Sequence, residues 1–317
     1  MFNNLFVKVV IRFCFLYLIL SGEFYCFGDS NIWVEPSRLI ILNLPVGKKI
    51  DIGEYLNVPF TIHNQNDVSQ IFLLEIAKSS TMKRKLLQGY DDLFDLDWIQ
   101  LEKTKVEINA KTSEKIKIYA NIPYDKKYCN QHWEATLNIK TEQTSGQLFG
   151  LEFSVQLLVE TESEKLSNEK KPHGSFSLIP TVIKFEKVKL GQNLTGTVKL
   201  YNNEKATHTY IVTIISPSDK VIEQFIPRTV GYKKLPNTKW ITISIPGAKN
   251  IKRKKNGQKL EPIKEITINS ENSILGMLKV KIPKSKKNRN QNWEALLFVR
   301  QIDTGKVNFN RVQIQTK

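Results

Sequence analysis

The chain carries one ten-residue pattern twice. NQHWEATLNI occupies positions 130–139, and NQNWEALLFV occupies positions 290–299. Repetition within one chain indicates that a single structural unit occurs more than once. The pattern therefore predicts two domains that share one fold.

Four further pairs of segments recur in the same order. They are GEYL (53–56) with GQNL (191–194), which precede Asn64 and Asn202; GYDDLFDLDWI (89–99) with GYKKLPNTKWI (231–241); VEIN (106–109) with ITIN (266–269); and IYANIP (118–123) with LKVKIP (278–283). The spacing between copies grows from 138 to 142 and then to 160 residues. The second copy therefore contains an insertion of about 18 residues, which includes 249–259, and such insertions normally form surface loops.

Apolar and polar residues alternate along the repeated segments, which is the period of a β-strand. Leu56, Val58, Phe60 and Ile62 form one such run. The turn sequences TSG (144–146) and DTG (303–305) each join two strand-like runs, as hairpin loops do. We therefore predict an all-β chain of two tandem immunoglobulin-like β-sandwich domains.

The N-terminus has the layout of a secretory signal peptide. Lys8 and Arg12 precede the apolar run 13–20, and Cys26 and Gly28 place small residues three and one positions before a cleavage site. An apolar run of about eight residues is too short to span a bilayer, although a retained anchor is the alternative. We expect an exported chain located in the periplasm, at the cell surface or in an equivalent non-cytoplasmic compartment, with no transmembrane anchor after cleavage.

These observations predict four segments. They are a signal peptide (1–28), a first sandwich (29–160), a charged linker (161–175) and a second sandwich (176–317) with the basic insertion 249–259. The linker has no apolar period, so we expect it to act as a hinge. Four tryptophans recur at matching positions, and we expect them to be structural core residues. They are Trp98, Trp133, Trp240 and Trp293.

The repeated residues also resemble those of bacterial exported proteins with immunoglobulin-like domains. The shared positions are Asn64, Trp98, Ile99, Ile122, Pro123 and Trp133 in the first copy, and Asn202, Trp240, Ile241, Ile282, Pro283 and Trp293 in the second. With these residues the chain resembles the paired sandwiches of WxL-interacting surface proteins and, more distantly, the two-domain periplasmic pilus chaperones. The resemblance implies a fold and export, and it transfers no site residues.

The sequence has no recognised arrangement of catalytic, cofactor-binding or metal-binding residues. Its four histidines are scattered, and none recurs in the other copy. Motifs for zinc hydrolysis, nucleophilic serine chemistry and phosphate binding are absent from the sequence. We therefore expect a non-enzymatic protein without cofactor or metal. A calcium site among the clustered aspartates of 91–97 is an open alternative to a solvated acidic surface.

Charge is distributed unevenly between the copies. Residues 29–160 contain 15 Lys/Arg and 18 Asp/Glu, whereas residues 161–317 contain 30 Lys/Arg and 12 Asp/Glu. Two groups of charged residues are expected to bind protein. The acidic loop of the first copy comprises Asp91, Asp92, Asp95 and Asp97, and the basic loops of the second comprise Lys233, Lys234, Lys239, Lys249, Lys252, Arg253, Lys254, Lys255, Lys284, Lys286, Lys287 and Arg289.

Such a distribution favours an assembly module, because a basic surface attracts an acidic partner. The expected partner is a larger exported protein with an acidic surface, or another molecule of the same chain in a ring or filament. Binding of teichoic acid, acidic polysaccharide or anionic lipid at the cell surface is the alternative, so contact with a membrane surface stays open, and a chaperone is less favoured. Nucleic acid is not expected, since aromatic residues are not interleaved with the lysine clusters.

Overall fold

The computed structural model describes residues 31–82, 85–142, 150–163, 174–215, 226–251 and 263–317, and the backbone of 254–255 and 258–259. The predicted signal peptide, the predicted turn at 144–146, linker residues 164–173, and the basic residues Lys252 and Arg253 lie outside these ranges. Within the described ranges, no helix has both the length and the apolar character that crossing a membrane requires.

The first copy forms twelve strands and one short α-helix among its described residues. The strands are β1 (Ile32–Glu35), β2 (Arg38–Leu44), β3 (Lys49–Asp51), β4 (Phe60–Asn64), β5 (Gln70–Lys78), β6 (Asp91–Asp92), β7 (Ile99–Leu101), β8 (Lys105–Ile108), β9 (Thr112–Ile116), β10 (Ile118–Asn121), β11 (His132–Thr141) and β12 (Glu152–Thr161), and the helix is α1 (Ile52–Leu56). The longest sheet has the order β2-β12-β11-β5-β8, with β6 beside β11, and it faces the strands β1-β4-β9 and β3-β10-β7.

The second copy repeats this arrangement. Its strands are β13 (Phe176–Ile179), β14 (Val182–Val188), β15 (Asn193–Asn202), β16 (His208–Ile215), β17 (Lys233–Lys234), β18 (Ile241–Ser244), β19 (Lys249–Ile251), β20 (Lys254–Lys255), β21 (Gln258–Lys259), β22 (Ile263–Ile268), β23 (Ser273–Lys281), β24 (Asn292–Gln301) and β25 (Val307–Thr316). One sheet has the order β13-β15-β23-β18, and the other has the order β14-β25-β24-β16-β22-β19 with β17 beside β24.

Each copy encloses its own apolar core. One cluster of buried side chains extends from Ile32 to Val159, and a second extends from Phe176 to Ile314. The alternation seen in the sequence places these side chains between two sheets, as expected for a sandwich. The predicted all-β, immunoglobulin-like fold class is confirmed.

A pair of buried asparagines confirms the alignment of the copies at Asn64 and Asn202. The Asn64 side-chain amide donates to the carbonyls of Val68, Ile108 and Asn109, over 2.9–3.2 Å. The Asn202 amide makes the same three bonds, to Ala206, Ile268 and Asn269, over 2.7–3.1 Å. Each asparagine therefore ties the end of an early strand to the end of the VEIN or ITIN strand.

The predicted pairing of Gly53 with Gly191 is wrong. Gly191 has a positive φ and donates its N–H to Ile282, and Gly47 does the same with Ile122, both over 2.7 Å. Gly53 instead lies inside α1, which Asp51 caps by accepting the N–H of Glu54. The first copy has six more residues than the second between this glycine and the repeated asparagine, since 144 positions separate Gly47 from Gly191 and 138 separate Asn64 from Asn202. These extra residues accommodate α1, so the strand predicted to start at Leu56 starts at Phe60.

The loops that the structure describes agree in part with the prediction. β24 and β25 form an antiparallel hairpin around 303–305, where Gly305 has a φ of 71°. The insertion, which we expected to be a loop, contains strands: β19 pairs with β22, and β20 pairs with β21. The predicted linker begins inside β12, because Thr161 belongs to that strand and Glu162 donates its N–H to Leu44.

Candidate protein-binding surfaces

The repeated tryptophans lie against the two apolar cores. Trp98, Trp133 and Trp293 are buried, whereas Trp240 is partly buried. Trp98 packs against Trp133 with 5.4 Å between ring centroids, and Trp240 packs against Trp293 at 5.5 Å. These aromatic contacts lie at equivalent places in the two sandwiches.

The glutamate after each strand tryptophan is a feature that our sequence analysis missed. Glu134 and Glu294 are almost fully buried, although each lies in the visible repeat Trp-Glu-Ala. The Glu134 carboxylate accepts the N–H of Leu87 over 2.9 Å, and the Glu294 carboxylate accepts the N–H of Thr229 over 3.1 Å. Both therefore anchor the loop that precedes the Gly-Tyr repeat to the sheet. Their recurrence in the sequence was the signal that could have identified them.

The two sandwiches meet through a buried ion pair. Arg311 on β25 donates to both carboxylate oxygens of Glu160 on β12, over 2.7 and 2.6 Å, and to Glu294 over 2.9 Å. Burial by itself would raise the pKa of Glu160, but the guanidinium outweighs it and holds that pKa below its usual range. Tyr90 donates its hydroxyl to the same carboxylate. One buried guanidinium is thus shared by two buried carboxylates, so its removal would leave both without a cation.

Apolar and aromatic contacts surround this ion pair. Tyr90 and Leu158 of the first sandwich form a buried cluster with Ile226, Leu296 and Phe309 of the second. His132 stacks on Phe309 with 4.1 Å between ring centroids, and burial lowers its pKa to about 4. We call these residues, with Glu160 and Arg311, the sandwich interface.

The sandwich interface restricts motion between the sandwiches. Asn130 is 3% exposed, and its side-chain oxygen accepts the N–H of Thr181 over 3.1 Å and the hydroxyl of Ser163 over 3.0 Å. Separation of the sandwiches would expose the apolar cluster and break the buried ion pair. The expectation that the charged linker acts as a hinge stays a prediction, because linker residues 164–173 lie outside the described ranges.

The predicted acidic loop is partly engaged in its own structure. Asp92 accepts hydrogen bonds from the N–H and hydroxyl of Ser80, and Asp95 caps a short turn by accepting the N–H of Asp97. Asp91, Asp95 and Asp97 are exposed. The four carboxylates do not converge, and no group of three or more His, Cys, Asp or Glu within the described ranges is arranged to hold a metal.

Two aspartates of the first copy and two lysines of the second occupy equivalent places. Asp91 and Asp92 pair with Trp133 and Glu134 of β11, and Lys233 and Lys234 pair with Trp293 and Glu294 of β24. The other basic-loop residues are dispersed over the second sandwich. Lys239 lies in a short turn after the capping Asn237, Lys249 begins β19, and Lys254 and Lys255 form β20.

The remaining basic-loop residues belong to a cluster that is larger than predicted. Lys284, Lys286 and Arg289 lie around an open concavity of about 680 Å³ that Lys189 and Lys317 also line, and Lys287 is exposed beside them. We call Lys189, Lys284, Lys286, Arg289 and Lys317 the basic end. Among the described residues, none of these five side chains forms an ion pair. The sequence did not indicate that Lys189 and Lys317 join this group.

No protein-family model matches the chain, and no curated protein sequence matches it. Similar solved structures include a protein of unknown function from Porphyromonas gingivalis W83, which is 11% identical, has a TM-score of 0.31 and is matched over 90% of this chain and 99% of that one. The periplasmic chaperone SfaE is 12% identical with a TM-score of 0.30, over 90% of this chain and 100% of that one. The E. coli chaperone DraB is 10% identical with a TM-score of 0.29, over 90% and 98%.

The comparisons support one of the two predicted resemblances, the more distant one to pilus chaperones, at the level of the fold. Chaperones stand among the similar structures, as the more distant resemblance suggested. The resemblance to WxL-interacting proteins stays a prediction. Likenesses at these TM-scores do not assign a function to the chain.

Proposed function

We propose that the chain is a non-enzymatic, exported assembly module that binds a protein partner with an acidic surface. The observation that carries the proposal is the basic end, where five cations surround one open concavity without ion-pair partners among the described residues. Clustered cations that lack counter-ions raise the local concentration of an acidic partner and speed its association.

The sandwich interface supports this function because it sets the basic end in one orientation relative to the first sandwich. The first sandwich contributes the acidic loop, whose exposed members are Asp91, Asp95 and Asp97. Rigid presentation lowers the entropy lost on binding. A partner that contacts both sandwiches would therefore meet surfaces of opposite charge in a defined geometry.

The same cations favour a second candidate function, the binding of an acidic polymer at the cell surface. Phosphate and carboxylate groups spaced along a polymer would also meet the cluster of lysines and arginine. The two candidates differ in what the concavity recognises. A protein surface requires shape and directional hydrogen bonds, whereas a flexible polyanion requires mainly charge.

The test is size-exclusion chromatography with light scattering on residues 29–317, mixed with the exported-protein fraction of the native host. We expect a complex of defined stoichiometry with one protein at low salt, which dissociates at high salt as screening increases. Replacement of all five basic-end cations by Gln should abolish the complex. A chain that retrieves no protein but stays bound to an anionic polymer would overturn the proposal in favour of the second candidate.

A further inference from the structure

One end of the first sandwich, around Asn130, contacts the second sandwich. The basic end is the equivalent part of the second sandwich. The N–H of Gln131 donates to the hydroxyl of Thr161 over 2.9 Å, and the N–H of Gln291 donates to that of Thr316 over the same distance. The preceding residue has a left-handed backbone in both copies, with φ of 58° at Asn130 and 51° at Asn290. The two ends therefore have the same local construction.

The two ends differ in what covers them. Asn130 is buried and accepts the main-chain N–H of Thr181 at the start of the second sandwich. Asn290 is exposed and lines the concavity of the basic end. Asn292, the counterpart of His132, is also exposed. The second copy thus presents an uncovered form of a surface that the first copy uses to hold a polypeptide.

The basic end is poorly suited to bind a second molecule of the same chain. Strand pairing aligns Leu158 and Glu160 on β12 with Gln313 and Gln315 on β25. Polar amides thus replace the leucine and the carboxylate that pack against the second sandwich. If a second molecule docked head-to-tail in the manner of the sandwich interface, the ion pair could not form, because Gln315 stands in the place of Glu160.

The first sandwich of the second molecule, which would dock on the basic end, also lacks suitable residues. Strand pairing aligns Leu296, Phe309 and Arg311 of the second sandwich with Thr136, Ser154 and Gln156 of the first. The contact between molecules would therefore bury the Ser154 hydroxyl in place of the Phe309 ring and the Gln156 amide in place of the Arg311 guanidinium, which is unfavourable without new hydrogen bonds. Thr136, which is already hydrogen-bonded to Ser79, would replace the apolar Leu296. Arg38, the counterpart of Val182, would in addition approach the five cations.

We propose that the basic end binds an acidic peptide segment of a different protein. Carboxylates of the segment meet the basic-end cations, and Asn290 accepts one of its main-chain N–H groups, as Asn130 accepts that of Thr181. The concavity of about 680 Å³ has room for a few residues of extended chain. This inference rests on the proposed function and specifies its partner site as a peptide-binding one.

The probe is a fluorescently labelled hexaglutamate peptide, with hexaglutamine as the uncharged control, measured by fluorescence anisotropy at low salt. We expect Lys284→Gln/Lys286→Gln/Arg289→Gln to weaken binding of the charged peptide about tenfold. The matched variant Lys205→Gln/Lys279→Gln/Arg300→Gln removes two lysines and one arginine that are exposed on other parts of the second sandwich. It should change the affinity by less than about twofold. Equal losses in both variants would overturn the proposal, because net charge alone would then explain the binding.

Asn290→Gly tests recognition of the peptide backbone. Glycine keeps the left-handed backbone but removes the amide, so the fold should persist. We expect a loss of about two- to tenfold for hexaglutamate and no change for inorganic triphosphate, which has no N–H to donate. If Asn290→Gly leaves hexaglutamate binding unchanged, and triphosphate binds as tightly as the peptide, the occupant is an acidic polymer and the inference is wrong.

Two further outcomes separate this inference from the proposed function. If a native protein partner is retained equally by both triple variants, the assembly function stands and the basic end is not its site. If light scattering of the chain alone shows species that grow with concentration and are lost in Lys284→Gln/Lys286→Gln/Arg289→Gln, another molecule of the chain occupies the basic end. Either result overturns the acidic-peptide assignment.

Discussion

Arg311 and Glu160 form a bidentate ion pair, with donor–acceptor distances of 2.7 and 2.6 Å, although 151 positions separate them in the sequence. Both side chains are at most 2% exposed. The pair joins outward-facing residues of the two sandwiches, so it belongs to neither core. It makes the relative orientation of the sandwiches a property of the fold.

Breaking this pair should be costly. In Arg311→Met, Glu160 and Glu294 lose their shared cation while they stay buried, and we expect the free energy of unfolding to fall by about 3–5 kcal/mol. Urea denaturation measures this change. The exposed pair Lys103–Glu114, 3.1 Å apart, provides the control, since Lys103→Met should cost less than about 1 kcal/mol. A loss of less than about 1 kcal/mol in Arg311→Met, as expected for the exposed pair, would contradict this prediction.

The sandwich interface should weaken as pH falls below neutral. Burial lowers the pKa of His132 to about 4 from an ordinary value of 6.5, so between these values the unfolded chain binds a proton that the folded chain does not. Stability should therefore be lost as pH falls from 6.5 to 4, by about 3 kcal/mol at most. The measurement is the difference in unfolding free energy between wild type and His132→Asn at several pH values. A difference that does not change with pH contradicts this prediction.

A proton NMR titration gives an independent check on His132. Its imidazole resonances should shift with a midpoint near pH 4, because the neutral ring is stacked on Phe309 inside the sandwich interface. In Phe309→Ala the ring becomes more accessible to water, and the midpoint should rise toward 6.5. A midpoint near 6.5 in the wild type would mean that the interface is open in solution.

Two equivalent glycines should respond differently to alanine. Gly89 has a φ of 88°, and a β-carbon there would lie 2.5 Å from the Phe309 ring, whereas Gly231 has a φ of 83° and open space around it. Gly231→Ala should cost about 1 kcal/mol from backbone strain, and Gly89→Ala should cost this amount plus about 1–3 kcal/mol from the steric clash at the sandwich interface. Thermal unfolding of both variants measures the difference. Equal destabilisation would contradict the packing of Phe309 against Gly89.

The repeated asparagines should contribute similarly to each sandwich. Asn64→Ala and Asn202→Ala each leave three carbonyls without a side-chain donor, and each should destabilise the chain by about 1–3 kcal/mol. The Asp variants should be worse, because a carboxylate oxygen would face carbonyl oxygens in place of the amide N–H groups. Chemical denaturation of the four variants tests this order. Tolerance of Asp at either position would show that the three bonds are dispensable there.

The sequence by itself determined the repeat and the fold class. Residues such as Asn64 and Asn202, or Trp133 and Trp293, recur because each sandwich must satisfy its own buried carbonyls and fill its own core. Period-two alternation then predicts strands and the side that faces inward. The alignment of Gly53 with Gly191 shows the limit of this approach. It rested on a short sequence match, whereas the equivalent glycine is Gly47, which makes the same turn and the same hydrogen bond as Gly191.

The tertiary structure alone decided which outward-facing residues meet. Alternation assigns Leu158, Glu160 and Arg311 to the outer side of a sandwich, where polar, charged and apolar residues are all tolerated, so the sequence carries no local sign that they are buried. Only the docking of the two sandwiches joins Glu160 to Arg311, and only the folding of distant segments brings Lys189 and Lys317 beside Lys284. Local periodicity defines cores, whereas contacts between outer surfaces depend on the arrangement of whole domains.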